Sequence, residues 1–278
     1  MKKLLVQGDD FGFTKAVTYG IIDAIDNGVL RNTGLFANMP AAQLAASLMK
    51  ERPQVCFGID FNIVSGPSVS DPHTIPHLVD DQGQFIRSKD RIKDPRFQTE
   101  AGRREMFPFE ETYREIRAQY DRFLELTGQK PGYLHGHSLQ HENYTEAILR
   151  LSEETGVPYS QQIKASFEFK SLFDLRRVEH KDPAKTKKVF DPLAQLHKNP
   201  WQDVLTHEAY LLSGDYIEIG GHPGFVDDEL MNLTTLSLER IKDHAMMTSV
   251  EMFQWIEKHE IELITYYDLV EMAAKKKN

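Results

Sequence analysis

The sequence predicts an α/β fold, a distorted TIM-like (β/α) barrel with parallel strands inside and helices outside. Three observations carry this. Short apolar runs alternate with stretches of helical period at least five times. No internal repeat divides the chain. The polar residues suited to chemistry fall at or just after the predicted strands. Alternation of this kind gives parallel strands covered by helices, with the chemistry on the loops that follow the strands. An open doubly wound sheet would alternate in the same way, so barrel closure is an inference. The 278 residues suit one domain spanning 1–278, although two small domains would also fit that length.

The elements follow in order. Lys3 to Gln7 is a short apolar run and reads as the first strand, with Gly8 to Gly12 as the loop after it. Thr14 is placed to N-cap a helix whose apolar positions are Val17, Ile21, Ile22 and Ile25, and Asn27-Gly28 stops it. Val29 to Asn38 is the next strand. Ala41 to Lys50 follows as a helix with Leu44, Leu48 and Met49 inward, and Val55 to Val64 as a third strand closed by Ser65-Gly66-Pro67. Residues 67 to 108 lose the rhythm and form a long excursion, with a hairpin near Gln82-Gly83. Long loops inside compact domains often serve as lids or rims.

Helical period returns from Glu110 to Thr127 through Tyr113, Ile116, Tyr120, Phe123 and Leu124, and Gly128 ends it. A strand at Pro131 to His135, a helix at Tyr144 to Thr155 and a strand near Val157 come next. Residues 165 to 200, rich in charge and proline, resist assignment. Tyr216 to Gly220 is a short strand, Leu236 to His259 one long helix, and Ile261 to Thr265 the last strand before a closing helix from Tyr267.

Composition excludes several classes. The net charge of −9, from 42 acidic and 33 basic residues, repels phosphate backbones and argues against nucleic-acid binding. Lys275 to Lys277 read as a solvated tail. No signal peptide is visible after Met1-Lys2-Lys3, and no run approaches the ~18 apolar residues that span a bilayer. Cys56 is the sole cysteine, which rules out an intrachain disulfide or a thiolate zinc cluster. Its apolar setting favours the core over nucleophilic duty. The expectation is a cytoplasmic protein acting on a small molecule without a membrane partner, and a homo-oligomer is compatible with it.

Four groups could do chemistry. Asp9 and Asp10 are adjacent, so on extended backbone their side chains point opposite ways; one can hold a cation while the other, if the backbone turns, acts as a base. An acidic cap before Thr14 is the plainer alternative. Asp60 interrupts an apolar strand, and a buried carboxylate there needs a metal or an arginine. His135 and His137 share a strand face and can converge on one ion, with His141 at the rim. His222, in Gly220-Gly221-His222-Pro223-Gly224, is a general acid, a ligand or a turn residue. His73, His77, His180, His197, His207, His244 and His259 read as structural or solvated. Met246, Met247, Phe253 and Trp255 belong to the core face of a helix.

With these residues in place the chain resembles the YdjC-like carbohydrate deacetylases, the chitooligosaccharide and hopanoid deacetylase group. The resemblance runs nearly end to end. It rests on Gly8-Asp9-Asp10-Phe11-Gly12, on Phe57 to Ile63 with Gly66-Pro67, and on Leu78-Val79-Asp80 with Gly83 and Phe85. Gln129-Lys130-Pro131 through His137 and the Glu218 to Gly224 segment complete it. It implies a divalent metal, Mg²⁺ before Mn²⁺ or Zn²⁺, and hydrolysis of an acetyl group from an N-acetylated sugar, phosphorylated or not. By resemblance Asp10, Asp60 and His137 would ligate the metal, Asp9 would be the base and His222 the acid, with His135 and His141 as supporting or alternative ligands. Two departures stand out: the family has histidine at position 60, and its Asp-Ser-His-His-His run is His135-Gly136-His137-Ser138-Leu139 here. The alternatives are another metal-dependent sugar or phosphoester hydrolase, or a non-catalytic sugar-binding relative.

Overall fold

The computed structural model describes residues 1–173 and 191–276. Among these, seven parallel strands form one sheet: β1 (Lys3–Phe11), β2 (Asn32–Leu35), β3 (Cys56–Phe61), β4 (Leu134–Gly136), β5 (Lys170–Ser171), β6 (Tyr216–Gly221) and β7 (Glu262–Ile264). Their order is β4-β3-β2-β1-β6-β5, with β7 also on β1. The sheet curls into a half-barrel under surrounding helices. No pairing joins β4 to β5 among the described residues; the short helix Ser160–Ala165 stands in that gap.

Strand alternation sorts the two faces. On β1, Leu4 and Val6 pack outward with Val17 and Ile21 of the first helix, while Leu5 turns inward among Tyr133, Ile264 and Tyr266. Gln7 and Asp9 follow Leu5 at the same period, so polar groups sit above an apolar plug.

β1 has three neighbours. β6 runs along one side from Lys3 to Gly8. The other side is shared, by β7 over Lys3 to Leu5 and by β2 from Gln7 onward. Asn32 fills the notch at this handover. Its Nδ2 donates to the Val6 and Ile264 carbonyls at 3.0 and 3.1 Å, and its Oδ1 accepts from Tyr266 N at 3.0 Å.

Several sequence expectations need correction. β1 does not end at Gln7 but continues through both aspartates to Phe11, with the pairing register shifting between Gly8 and Phe11. The long helix expected over Leu236 to His259 is two helices, Arg240–Met247 and Val250–Lys258. Ser249 is extended and caps the second by accepting from Met252 N at 3.2 Å, a role for which serine is suited. Near Val157 there is a single bridge, Leu134 to Tyr159, rather than a strand; Pro158 lacks the N–H a ladder needs. Leu44 and Leu48 are half-buried, and Phe253 is exposed. His180 and Lys277 lie outside the described residues.

The excursion is ordered by specific contacts. Asp80 and Gly83 close the expected hairpin, with Gly83 at φ +72°, where glycine is unstrained. The buried Glu115 accepts from Val69 N and Ser70 N at 3.0 and 2.9 Å and ties the excursion to helix Phe109–Thr127. No described helix is long and apolar enough to cross a membrane.

Asn32→Leu would keep the volume of the notch but strand three backbone groups. Each buried polar group left unpaired costs ~1–3 kcal/mol, so urea unfolding should show a loss of about 3 kcal/mol or more. A loss under ~1 kcal/mol would remove Asn32 as the keystone of the handover.

Candidate active site

The site begins with a kink in β1. Adjacent residues on a regular strand face opposite ways, but the register shift between Gly8 and Phe11 is a bulge that re-aims them. Asp10 takes up the bend at φ +74°, the left-handed region that aspartate tolerates better than most side chains. Its carboxylate is fully buried. Arg240 Nη2 donates to Oδ2 at 2.5 Å, and His137 Nδ1 lies 3.0 Å from Oδ1. Burial alone would raise this carboxyl, but the Arg240 charge and then His137 outweigh it and hold Asp10 far below the usual carboxylate range.

Asp9 faces the other way, into the half-barrel. Gln7 Nε2 donates to its Oδ1 at 2.6 Å, and Tyr266 Oη donates to Gln7 Oε1 at 2.6 Å. Asp9, Asp60 and His135 bring one ligand atom each within 4.8 Å of one another. Asp60 Oδ2 accepts from Asp10 N at 3.0 Å, while its buried Oδ1 has no partner. Burial, and then the charge of Asp9, push the Asp60 carboxyl well above its usual range. Its place depends on a missing side chain: a Cβ on Gly34 would lie 2.0 Å from Asp60 Oδ1. His135 Nδ1 is 2.7 Å from Ser160 Oγ, and its Nε2 is 4.0 Å from Asp9 Oδ2. Burial lowers the pKa of this histidine against the opposing pull of Asp9, which favours the neutral ring that a metal requires.

This donor set fits a divalent cation. Two carboxylates crowd together with an imidazole, one buried oxygen is orphaned, and like charges are left uncompensated. Oxygen-rich sets with one nitrogen suit Mg²⁺ or Mn²⁺, with Zn²⁺ also compatible.

A cavity of about 760 Å³ opens above these groups, with Asp9, Asp10, His135, His137, His222 and Arg240 among its walls. His222 is held by its backbone, whose N–H donates to Asp243 Oδ2 at 2.9 Å. Lys164 and Glu218 form an ion pair on the wall beside His135. The excursion supplies part of the rim through Arg87, Ser88 and Lys89. Arg87 Nη2 reaches across to the Leu233 carbonyl at 2.7 Å.

The structure groups the expected residues differently from the sequence. Asp60 and His135 join Asp9, while Asp10 and His137 form a separate pair under Arg240. His222 shares the cavity. His141 does not reach it: the ring is buried against Phe107, with centroids 4.0 Å apart, and accepts from Tyr144 N at 3.3 Å as a helix cap. Burial brings its pKa down to about 4. Arg240, Gln7, Ser160 and Gly34 were not singled out from the sequence. One signal pointed toward Arg240, since a buried carboxylate asks for a metal or an arginine. The sequence poses that requirement at Asp60; in the structure Asp10 is the carboxylate that has the arginine.

Comparison with known proteins shows the family of the chain. The sequence model of the YdjC-like protein family matches residues 3–258. Carbohydrate deacetylase 2 of Listeria innocua is 32% identical over 272 residues, covering 96% of this chain and 98% of that protein. A carbohydrate deacetylase of Clostridium beijerinckii is 28% identical, covering 96% of this chain and 100% of its own. Among solved structures, an Enterococcus faecalis protein described as a candidate for cellobiose-phosphate cleavage superposes with a TM-score of 0.74 at 23% identity, covering 96% and 98% of the two chains. This half-barrel, with its kinked pair of aspartates, belongs to the YdjC-like family.

Proposed function

We propose that the chain is a carbohydrate deacetylase that hydrolyses the acetamide of an N-acetylated sugar with a divalent cation held by Asp9, Asp60 and His135. The observation that carries this is the meeting of these three donors around the unpartnered Asp60 Oδ1 at the floor of a sugar-sized cavity. A cation bound there would polarise the acetyl carbonyl and acidify water.

The chain's own residues divide the remaining work. Asp9 has one oxygen tied to Gln7 and the other turned toward His135, so it belongs with the cation rather than acting as the base. His137 lies on the cavity wall with Nδ1 on Asp10, an aspartate-backed imidazole placed to take a proton from water. His222, fixed through Asp243, is placed to protonate the leaving amine. Arg87 and Lys89 on the rim favour a sugar bearing a phosphate. The substrate is then a small soluble sugar, and the cytoplasm is the setting.

Acetate release from a panel of N-acetylated sugars, with and without a phosphate, tests this directly in the presence of Mg²⁺ or Mn²⁺. No release from any of them would end the proposal. His137→Ala should lower kcat by ~10²–10⁴-fold with Mn²⁺ affinity within a few-fold of wild type, whereas Asp9→Asn should lose Mn²⁺. The opposite pattern would return the base to Asp9.

Asp60 gives a second test. A carboxyl whose folded pKa lies above its unfolded one stabilises the fold only at low pH and costs stability as pH rises through the folded value. At pH 8 the metal-free Asp60→Asn variant should therefore melt above metal-free wild type, and Mn²⁺ should no longer raise its Tm. A lower Tm for the metal-free variant would mean Asp60 serves the fold rather than the cation.

A further inference from the structure

Among the described residues no strand joins β4 to β5, and the short helix Ser160–Ala165 stands in that gap. The helix is pinned at its start, because Leu134 N donates to the Pro158 carbonyl at 2.9 Å and Leu134 bridges Tyr159. It is pinned one turn later by the Lys164–Glu218 ion pair to β6. Ser160, the first residue of the helix, is therefore held beside His135, the residue after Leu134. Its side chain is fully buried, and its Oγ lies 2.7 Å from His135 Nδ1.

A cation held with Asp9 and Asp60 needs the lone pair of the ring nitrogen on their side, and that requirement selects one tautomer of His135. Nε2 lies 4.0 Å from Asp9 Oδ2, beyond hydrogen-bond reach. With Nε2 as that lone pair the ring proton is on Nδ1, where Ser160 Oγ stands 2.7 Å away to accept it. We propose that Ser160 is a positioning residue for the cation site: it accepts from His135 Nδ1–H and so fixes Nε2 as the lone pair turned toward Asp9 and Asp60. This rests on the assignment of Asp9, Asp60 and His135 to the cation. Groups that orient metal-bound histidines in this way are typically worth ~10–100-fold in metal affinity.

Two measurements on the full chain test it. Mn²⁺ binding followed by electron paramagnetic resonance should weaken ~10-fold or more in Ser160→Ala, with an unchanged circular-dichroism spectrum, and return toward wild type in Ser160→Thr, which restores the hydroxyl. Long-range ¹⁵N–¹H correlation on metal-free wild type should place the His135 proton on Nδ1. Ser160→Ala binding Mn²⁺ as wild type does, while His135→Ala loses it, would overturn the role of Ser160 and leave the cation assignment standing. A proton found on Nε2 would overturn it as well, without any variant. His135→Ala binding Mn²⁺ like wild type would sink the cation assignment and this inference together.

Discussion

The site depends on one buried ion pair. Asp10 is fully enclosed and charged, and a lone carboxylate in that position would cost several kcal/mol. Arg240 removes this cost, and its own place is fixed by further contacts. Its helix is entered through Ser237 and Glu239, whose N–H groups both donate to Gln195 Oε1. Lys198 pairs with Glu239 and with Asp243 on the same helix. Asp243 in turn receives the N–H of His222. The first strand and the C-terminal third of the chain, already paired through β6 and β7, are thus tied again at the Asp10 carboxylate, which holds both Arg240 and His137 at the cavity wall.

Much of this architecture was legible in the sequence. Thr14 caps the first helix as expected, Val17, Ile21, Ile22 and Ile25 form its buried face, and Gly128 ends the long helix in the left-handed conformation. These are local signals, set by residues a few positions apart. The bulge at Asp10 was not legible, because an aspartate bent to positive φ is spelled the same way as one on a straight strand. The grouping of Asp9 with Asp60 and His135, and of Asp10 with His137, followed from that bulge and was hidden with it. Arg240 escaped for a different reason: it sits 230 residues from its partner, and nothing near it in the chain marks it out.

Position 60 shows how a departure from the family pattern is accommodated. The resemblance places histidine there, a side chain that can rest neutral in a dry site. Burial, and then the charge of the nearby Asp9, disfavour the charged form of Asp60. Gly34 leaves the room that it occupies, and the Asp10 N–H satisfies one oxygen. The other oxygen has no hydrogen-bond partner among the described residues, which is the opening that the proposed cation would fill.

β1 is the strand on which the whole site hangs, and it is also the strand with three parallel partners. Unlike an edge strand, from Lys3 to Gly8 it offers no side from which it can fray, since β6 occupies one flank and β7 and β2 share the other. The kink that aims Asp9 and Asp10 begins where that bracing ends, because β6 pairs only as far as Gly8 and the pairing with β2 resumes at Phe11. Partial opening of this strand would have to break the sheet around it. The two aspartates therefore stand on a bend with a rigid root, and its shape is held by their contacts with Gln7, Asp60, His137 and Arg240 rather than by the ladder.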